Sequence, residues 1–546
     1  MFASSLLGIQ DIPQKALRRI LARRSASPRG SALRQRAIVA ACRIPRVRSA
    51  ASKALITYYA TATAPRPRPL SMVGDYASWV SLTDRSYSSR HLPPAPDNVT
   101  LPPESTVDAL FERTEFAPST DTSVTFMFFA QWFTDSFLRT DRSDFRKNTS
   151  NHGIDFCQIY GLNETKTRML RAGVGGRLKS QLIDGAEFPQ FLFCPRESAD
   201  PAEPLVIKPE FEGLHDPDFL ARIQQVSPAE RHHATFAVGL EYGNSTVGHA
   251  TFNIVFLREH NRIAAELAAA YPDWDDERLF QTTRNVMIVL LLELVIEEYI
   301  KHIGAFEFPL TIPDFMADEA AWNRPGWIPI EFDLLYRWHS MVPDTFELGA
   351  ARLGPRDILD NNPLIIEHGV AELITAWSGQ RAGRFGLHNT PLFLNRRLVA
   401  DLPSVTEATT RLARKARLRP YNDYREDFGL PRLTDFAQLT ADRRLQATLA
   451  EMYGSIDELE WYVGIWAEDY PAENMMGELM MVMVGYDAFT QALTNPLLSR
   501  QVFTEETFSP VGWRIIHETE MRRDAGILQQ IVGRNADGPV RARFRC

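Results

Sequence analysis

The chain has 546 residues, 45% of them hydrophobic, which is ample for a large buried core; length alone suggests roughly two to four domains, or one large all-helical unit. The formal charge of −8 is unevenly spread: residues 1–69 hold 14 Lys and Arg against a single acid, Asp11, a net +13 that leaves −21 for the rest. Cys42, Cys157, Cys194 and Cys546 are far apart and form no CxxC pair, which argues against a disulfide scaffold and against a zinc site.

Residues 1–72 form the first segment. Ile12, Leu17, Ile20 and Leu21 fall near one helical face, with Lys15, Arg18, Arg19, Arg23 and Arg24 mostly elsewhere. That is the pattern of a basic amphipathic helix lying on a membrane surface. An unstructured basic tail or an organelle transit peptide has the same composition. There is no recognisable nucleic-acid-binding module, so nucleic acid is not an expected partner. A secretory signal is not expected either, because no apolar run and small-residue cleavage site follow the basic residues.

Residues 64–69 and 92–103 are proline-rich and read as extended connections. Beyond them the chain reads as one helical catalytic domain over residues 73–546. Apolar residues recur at helical spacing over residues 123–140, 250–271, 275–303 and 331–338. Alternating β patterns are scarce, so the expected fold class is mainly α. The longest apolar run, residues 286–292, ends at Glu293. It falls short of the about 20 residues a membrane span needs and reads as a core helix. The expected location is therefore peripheral to a membrane or cytoplasmic, with no transmembrane helix.

The segment EFDLLYRWHSMVPDTF, residues 331–346, carries the most chemistry. Tyr336 and His339 are three apart, so on a helix they would share a face. An imidazole can hold haem iron from the proximal side, and a phenol one turn away would sit beside the same macrocycle. An oxidised haem can turn such a phenol into a radical that takes a hydrogen atom from an unreactive C–H bond. The same spacing also suits a hydrogen-bonded core pair.

This segment resembles the proximal helix of animal cyclooxygenases, EFN-x-LYHWHP-x-xPD. FLREHNR at residues 256–262 resembles the signature of the animal haem peroxidase superfamily. DDERLFQT (275–282), VIEEY (295–299), RAGR (381–384), RLRPYNDYREDFG (417–429) and YGSIDE (453–458) follow in the same order. The resemblance implies the animal haem peroxidase fold and a haem-dependent dioxygenase acting on polyunsaturated fatty acids with O2 and a peroxide activator. It implies that Tyr336 is the radical residue and His339 the proximal haem ligand, with Trp338 between them. Tyr299 matches the tyrosine that partners the radical tyrosine, Tyr462 one near the proximal histidine, and Gln131 the distal glutamine. A homodimer is implied in the same way.

Several positions depart from the family pattern. The family's distal helix reads FFAQHFTHQFF; here it is FFAQWFTDSFL, which puts Trp132 and Asp135 in place of the two histidines. The second histidine is the peroxidase acid–base group, a role an aspartate can fill if burial raises its pKa. Along the substrate channel Phe306 replaces a tyrosine, Ala488 a serine, Val484 a glycine and Met481 a small branched residue. Lys53 is the candidate for the arginine that binds the fatty-acid carboxylate, but as a point charge without the bidentate fork. Ser245 and Thr246 stand where covalently linking members carry a Glu–Met pair, which implies a non-covalent haem b, one per chain. The alternatives are a haem peroxidase with small-molecule donors and a haem-binding protein with reduced catalysis.

Overall fold

The computed structural model describes residues 38–64, 73–74, 76, 78–96, 100–196, 204–224, 228–304, 308–324, 327–395, 403–521 and 525–546. The expected amphipathic helix over residues 12–24, and Phe306, lie outside them. Helices dominate as expected. The ones that build the site are α1 (Pro45–Ala60), α2 (Val124–Thr134), α3 (Val247–Ala270), α4 (Asp276–Glu293), α5 (Ile330–Leu335), α6 (Asn362–Gly379), α7 (Trp461–Ala467), α8 (Glu478–Leu493), α9 (Glu505–Glu518) and α10 (Ile527–Asn535).

Helix starts follow side-chain chemistry. Ser123, Thr246 and Asp275 each accept a backbone N–H two or three residues into α2, α3 and α4. Helix α2 stops at Thr134, short of the expected residue 140. There the Thr134 and Ser136 hydroxyls donate to the carbonyls of Ala130 (2.8 Å) and Phe133 (2.6 Å), which competes with further helical bonding. Helix α4 continues into a π-helical turn, Leu294–Ile300, that carries Tyr299. Such turns often mark functional sites.

Helix α3 is the central beam. It packs against α2, α4, α6 and α10, while α9 lies on α4 and α8 contacts α1 and α5. Among the described residues the strands form three two-stranded antiparallel sheets. These pair β1 (Pro118–Ser123) with β6 (Arg381–Gly383), β2 (Ser180–Ile183) with β3 (Ala186–Pro189), and β4 (Phe346–Leu348) with β5 (Ala351–Leu353).

The FLREHNR segment lies on α3 and is structural. Arg258 donates to the Glu187 and Asn535 carbonyls and pairs with Asp537 at 2.7 Å. Glu259 is fully buried and is held by Arg262, Arg534 and Asn535. Asn261 binds both backbone groups of Leu178. His260 bridges the Tyr160 hydroxyl (2.8 Å) and the Gly176 carbonyl (2.9 Å).

Helix α1 belongs to the basic N-terminal segment but packs as part of the core. Leu55, Ile56 and Tyr59 are buried, and Gly485 on α8 lets the Tyr59 ring approach where a Cβ would lie 2.5 Å from it. One described helix, Asp276–Ile303, is long and apolar enough to cross a membrane, but 78% of its apolar stretch is buried inside the fold.

Burial, opposed by the bond to Gly176, pulls the His260 pKa down to about 3. This folded-state value lies below the unfolded one, so the unfolded chain takes up the proton first as pH falls. His260 therefore favours the native state fully above about pH 6.5 and progressively less toward pH 3. In His260→Gln the fall of the unfolding free energy with acidification should be shallower, by up to about 1.4 kcal/mol per pH unit for a single group. Unfolding scans across that pH range test this; an unchanged slope would mean His260 does not titrate with unfolding.

Candidate active site

Helix α5 ends one residue before Tyr336, which is its C-cap. The chain then tightens: Trp338 N–H donates to Tyr336 O (2.8 Å), His339 N–H donates to Arg337 O (2.9 Å), and His339 opens a 3₁₀ turn. Tyr336 and His339 thus do not share the face of one continuous helix, as their spacing predicts. Tertiary packing is the reason. The rings of Tyr336 and Trp338 stack with centroids 4.4 Å apart, a contact that residues two apart cannot make on a helix. Trp338 also packs on Phe385 (5.0 Å) and lies parallel to Phe126 of α2 (6.2 Å).

The turn after His339 is clamped by residues distant in sequence. Buried Arg113 donates to the carbonyls of Ser340 (3.3 Å) and Val342 (2.8 Å) and pairs with Asp344 at 2.8 Å. Asn389 also reaches the Ser340 carbonyl, at 3.4 Å. A Cβ on Gly383 would meet that same oxygen at 2.0 Å, so only glycine lets β6 run against the turn. Sequence reasoning misses Arg113 and Asn389, and quotes Gly383 only as part of RAGR.

His339 is half-buried, and its ring makes no hydrogen bond to a described residue. The surrounding protein, and then the charge of Arg337, pull its pKa down to about 3. The imidazole is therefore neutral at physiological pH, the form that binds a metal.

Tyr299 is fully buried among Phe126 (4.9 Å, stacked), Phe129 (5.4 Å) and Phe133 (5.7 Å). Its hydroxyl and that of Tyr336 are both buried, and neither reaches hydrogen-bond geometry. Burial raises the pKa of both phenols, and each perturbs the other. Tyr336 borders a small apolar cavity, with room for about one water molecule, together with Phe133, Phe137, Val295, Phe332 and Ala488. Met481 and Val484 lie on the same face of α8 as Ala488, but they do not line this cavity. Lys53 is exposed on α1 and does not line it either. Tyr462, on α7, stacks on Phe111 (5.4 Å) and makes no hydrogen bond to His339.

Gln131 and Asp135 are four apart at the C-terminal end of α2 and face the first turn of α3. The Thr246 hydroxyl donates to Gln131 Oε1 (3.0 Å), and Gln131 Nε2 lies 3.5 Å from Ser245 Oγ. Asp135 is not fully buried, the condition under which it would replace the histidine: its side chain is 28% exposed, and Oδ2 lies 3.2 Å from Nδ1 of fully buried His249. This close approach of two helices requires Gly248, whose Cβ would lie 2.0 Å from the Phe128 ring.

A family model described as animal haem peroxidase matches residues 142–523. The chain is similar to prostaglandin G/H synthase 1 of Mus musculus, with 32% identity over 84% of this chain and 73% of that protein. Among solved structures it is similar to peroxidase A of Dictyostelium discoideum, with a TM-score of 0.64 and 17% identity over 88% of this chain and 95% of that one. It is similar in the same way to a fatty acid alpha-dioxygenase of Oryza sativa, with a TM-score of 0.64 and 15% identity over 90% of each chain.

Gly248→Ala should force Phe128, and α2 with it, away from α3. A loss of about 1–3 kcal/mol is expected, as in other overpacked cores. Chemical denaturation measures it, and an unchanged midpoint would mean that the contact between α2 and α3 is loose.

Proposed function

Because the chain belongs to the animal haem peroxidase family, we propose that it is a haem-dependent oxygenase of polyunsaturated fatty acids, working through a radical at Tyr336, with an accompanying peroxidase activity. The observation that carries this reading is the Tyr336 phenol itself. It is buried, its neighbour is the Tyr299 phenol, it borders an apolar cavity, and it lies three residues before the His339 imidazole.

The residues fit a non-covalent haem b, one per chain. His339 is the proximal donor, neutral and clamped through the backbone that follows it. Gln131 is the distal polar group, and Tyr462 an outer partner on the His339 side. Ser245 and Thr246 offer hydroxyls, already turned to Gln131, in place of an ester-forming carboxylate. When bound, the haem supplies the oxidising equivalents, drawn from a peroxide, that convert the Tyr336 phenol to its radical.

The remaining work falls to side chains. The Tyr336 oxygen takes a hydrogen atom from a bis-allylic carbon of the chain held in the cavity, which restores the phenol. O2 then adds to the carbon radical left behind. Apolar walls keep water from the radical, and Trp338 and Tyr299 hold the phenol in place from two sides. Ala488 lines the cavity beside Tyr336. Residues 73–546 are the catalytic domain, completed by α1; the basic stretch before α1 contacts a membrane surface, and two copies pair as a homodimer.

In haem-loaded Tyr336→Phe, oxygen uptake with linoleate or arachidonate, started by a trace of hydroperoxide, should fall to background. The haem spectrum and peroxidase turnover should persist. Uptake that survives the substitution, or a wild-type protein that takes up no oxygen despite a normal spectrum, would overturn the reading.

A further inference from the structure

Asp135 stands where the family carries its distal histidine, and its carboxylate is partly buried. The structure brings an imidazole to it from another helix. His249 is the third residue of α3, and its backbone N–H is fixed by the Thr246 hydroxyl at 3.1 Å. Its side chain is wholly buried, and Nδ1 approaches Asp135 Oδ2 to 3.2 Å, just short of hydrogen-bond geometry. Nε2 has no hydrogen-bond partner among the described residues. The couple is built into the helix pair. Gln131, one turn before Asp135, is held by Thr246, the residue that caps His249. Gly248 is the residue that lets the two helices come this close.

We propose that Asp135 and His249 act as one distal acid–base couple, in which Asp135 exchanges the proton and the buried His249 is its positioning residue. This rests on the haem reading above. With Nδ1–H turned to Oδ2, the imidazole fixes one carboxylate oxygen and leaves the other for a ligand. A peroxide oxygen gives its proton to that carboxylate and the same proton is returned to the second peroxide oxygen, so none is gained or lost. The histidine of the distal site has thus moved from α2 to α3, behind the group it serves.

Cyanide tests the couple without any fatty acid, because hydrogen cyanide must surrender its proton to a distal base as the anion binds iron. Stopped-flow association at fixed pH is compared in the haem-loaded wild type, Asp135→Asn, His249→Gln and the double variant. The haem spectrum is the control for folding. Asp135→Asn should slow association by about 100-fold, the low end for loss of a general base. His249→Gln should slow it by about 10-fold, as loss of an orienting partner does. The double variant should match Asp135→Asn alone, since His249 acts only through Asp135. Asp135→Glu keeps the carboxylate but misplaces it, and should also slow association by about 10-fold even if His249 variants fail to fold. Wild-type rates in His249→Gln and Asp135→Glu would overturn the proposal, as would a double variant whose loss is the product of the single losses. Because no fatty acid is present, these outcomes stand whatever oxygen uptake shows.

Discussion

Helix α3 is immobilised along its length, and the placement of the site depends on that. Its middle is tied to α10, β3 and the loop near Gly176 through Arg258, Glu259, His260 and Asn261. Its first turn meets α2 at the contact of Gly248 with Phe128. A helix fixed at several points presents its end with little freedom. Gln131 and Asp135 therefore face Thr246 and His249 in one arrangement rather than several. The buried charge of Glu259 would be costly alone, and is tolerated because two arginines and an amide surround it.

The catalytic pair was legible in the sequence because its residues are contiguous. EFDLLYRWHS places a phenol, an indole and an imidazole within four positions, and the surrounding motifs fix the family. The break in the helix was not legible. No glycine or proline falls between Leu335 and His339, and local propensity favours continuing. The stacking of Tyr336 on Trp338 and the clamp on the following turn decide otherwise. Arg113 and Asn389 were invisible for a related reason: they lie more than two hundred residues apart and meet only through folding. His249 reads in sequence as an unremarked residue near a helix start. Its proximity to Asp135 exists only in three dimensions.

The hydroxyls of Tyr299 and Tyr336 are buried without partners of good geometry. Each such group costs about 1–3 kcal/mol against a satisfied one. A core selected for stability alone would carry phenylalanine at both positions. Their retention fits a site where a phenol must lose and regain a hydrogen, since a strong hydrogen bond to either oxygen would bias that exchange. The four phenylalanines around Tyr299 and Tyr336 supply the packing that keeps the rings from turning.

The seating of α1 on α8 has a practical consequence for maturation. Leu55, Ile56 and Tyr59 fill space against the helix that carries Ala488, and Gly485 is shaped to receive the Tyr59 ring. A cut beyond Ala60 would strip a wall from the molecule and bare its apolar interior. Any shortened or matured form must therefore keep α1, a requirement set by the burial of three side chains.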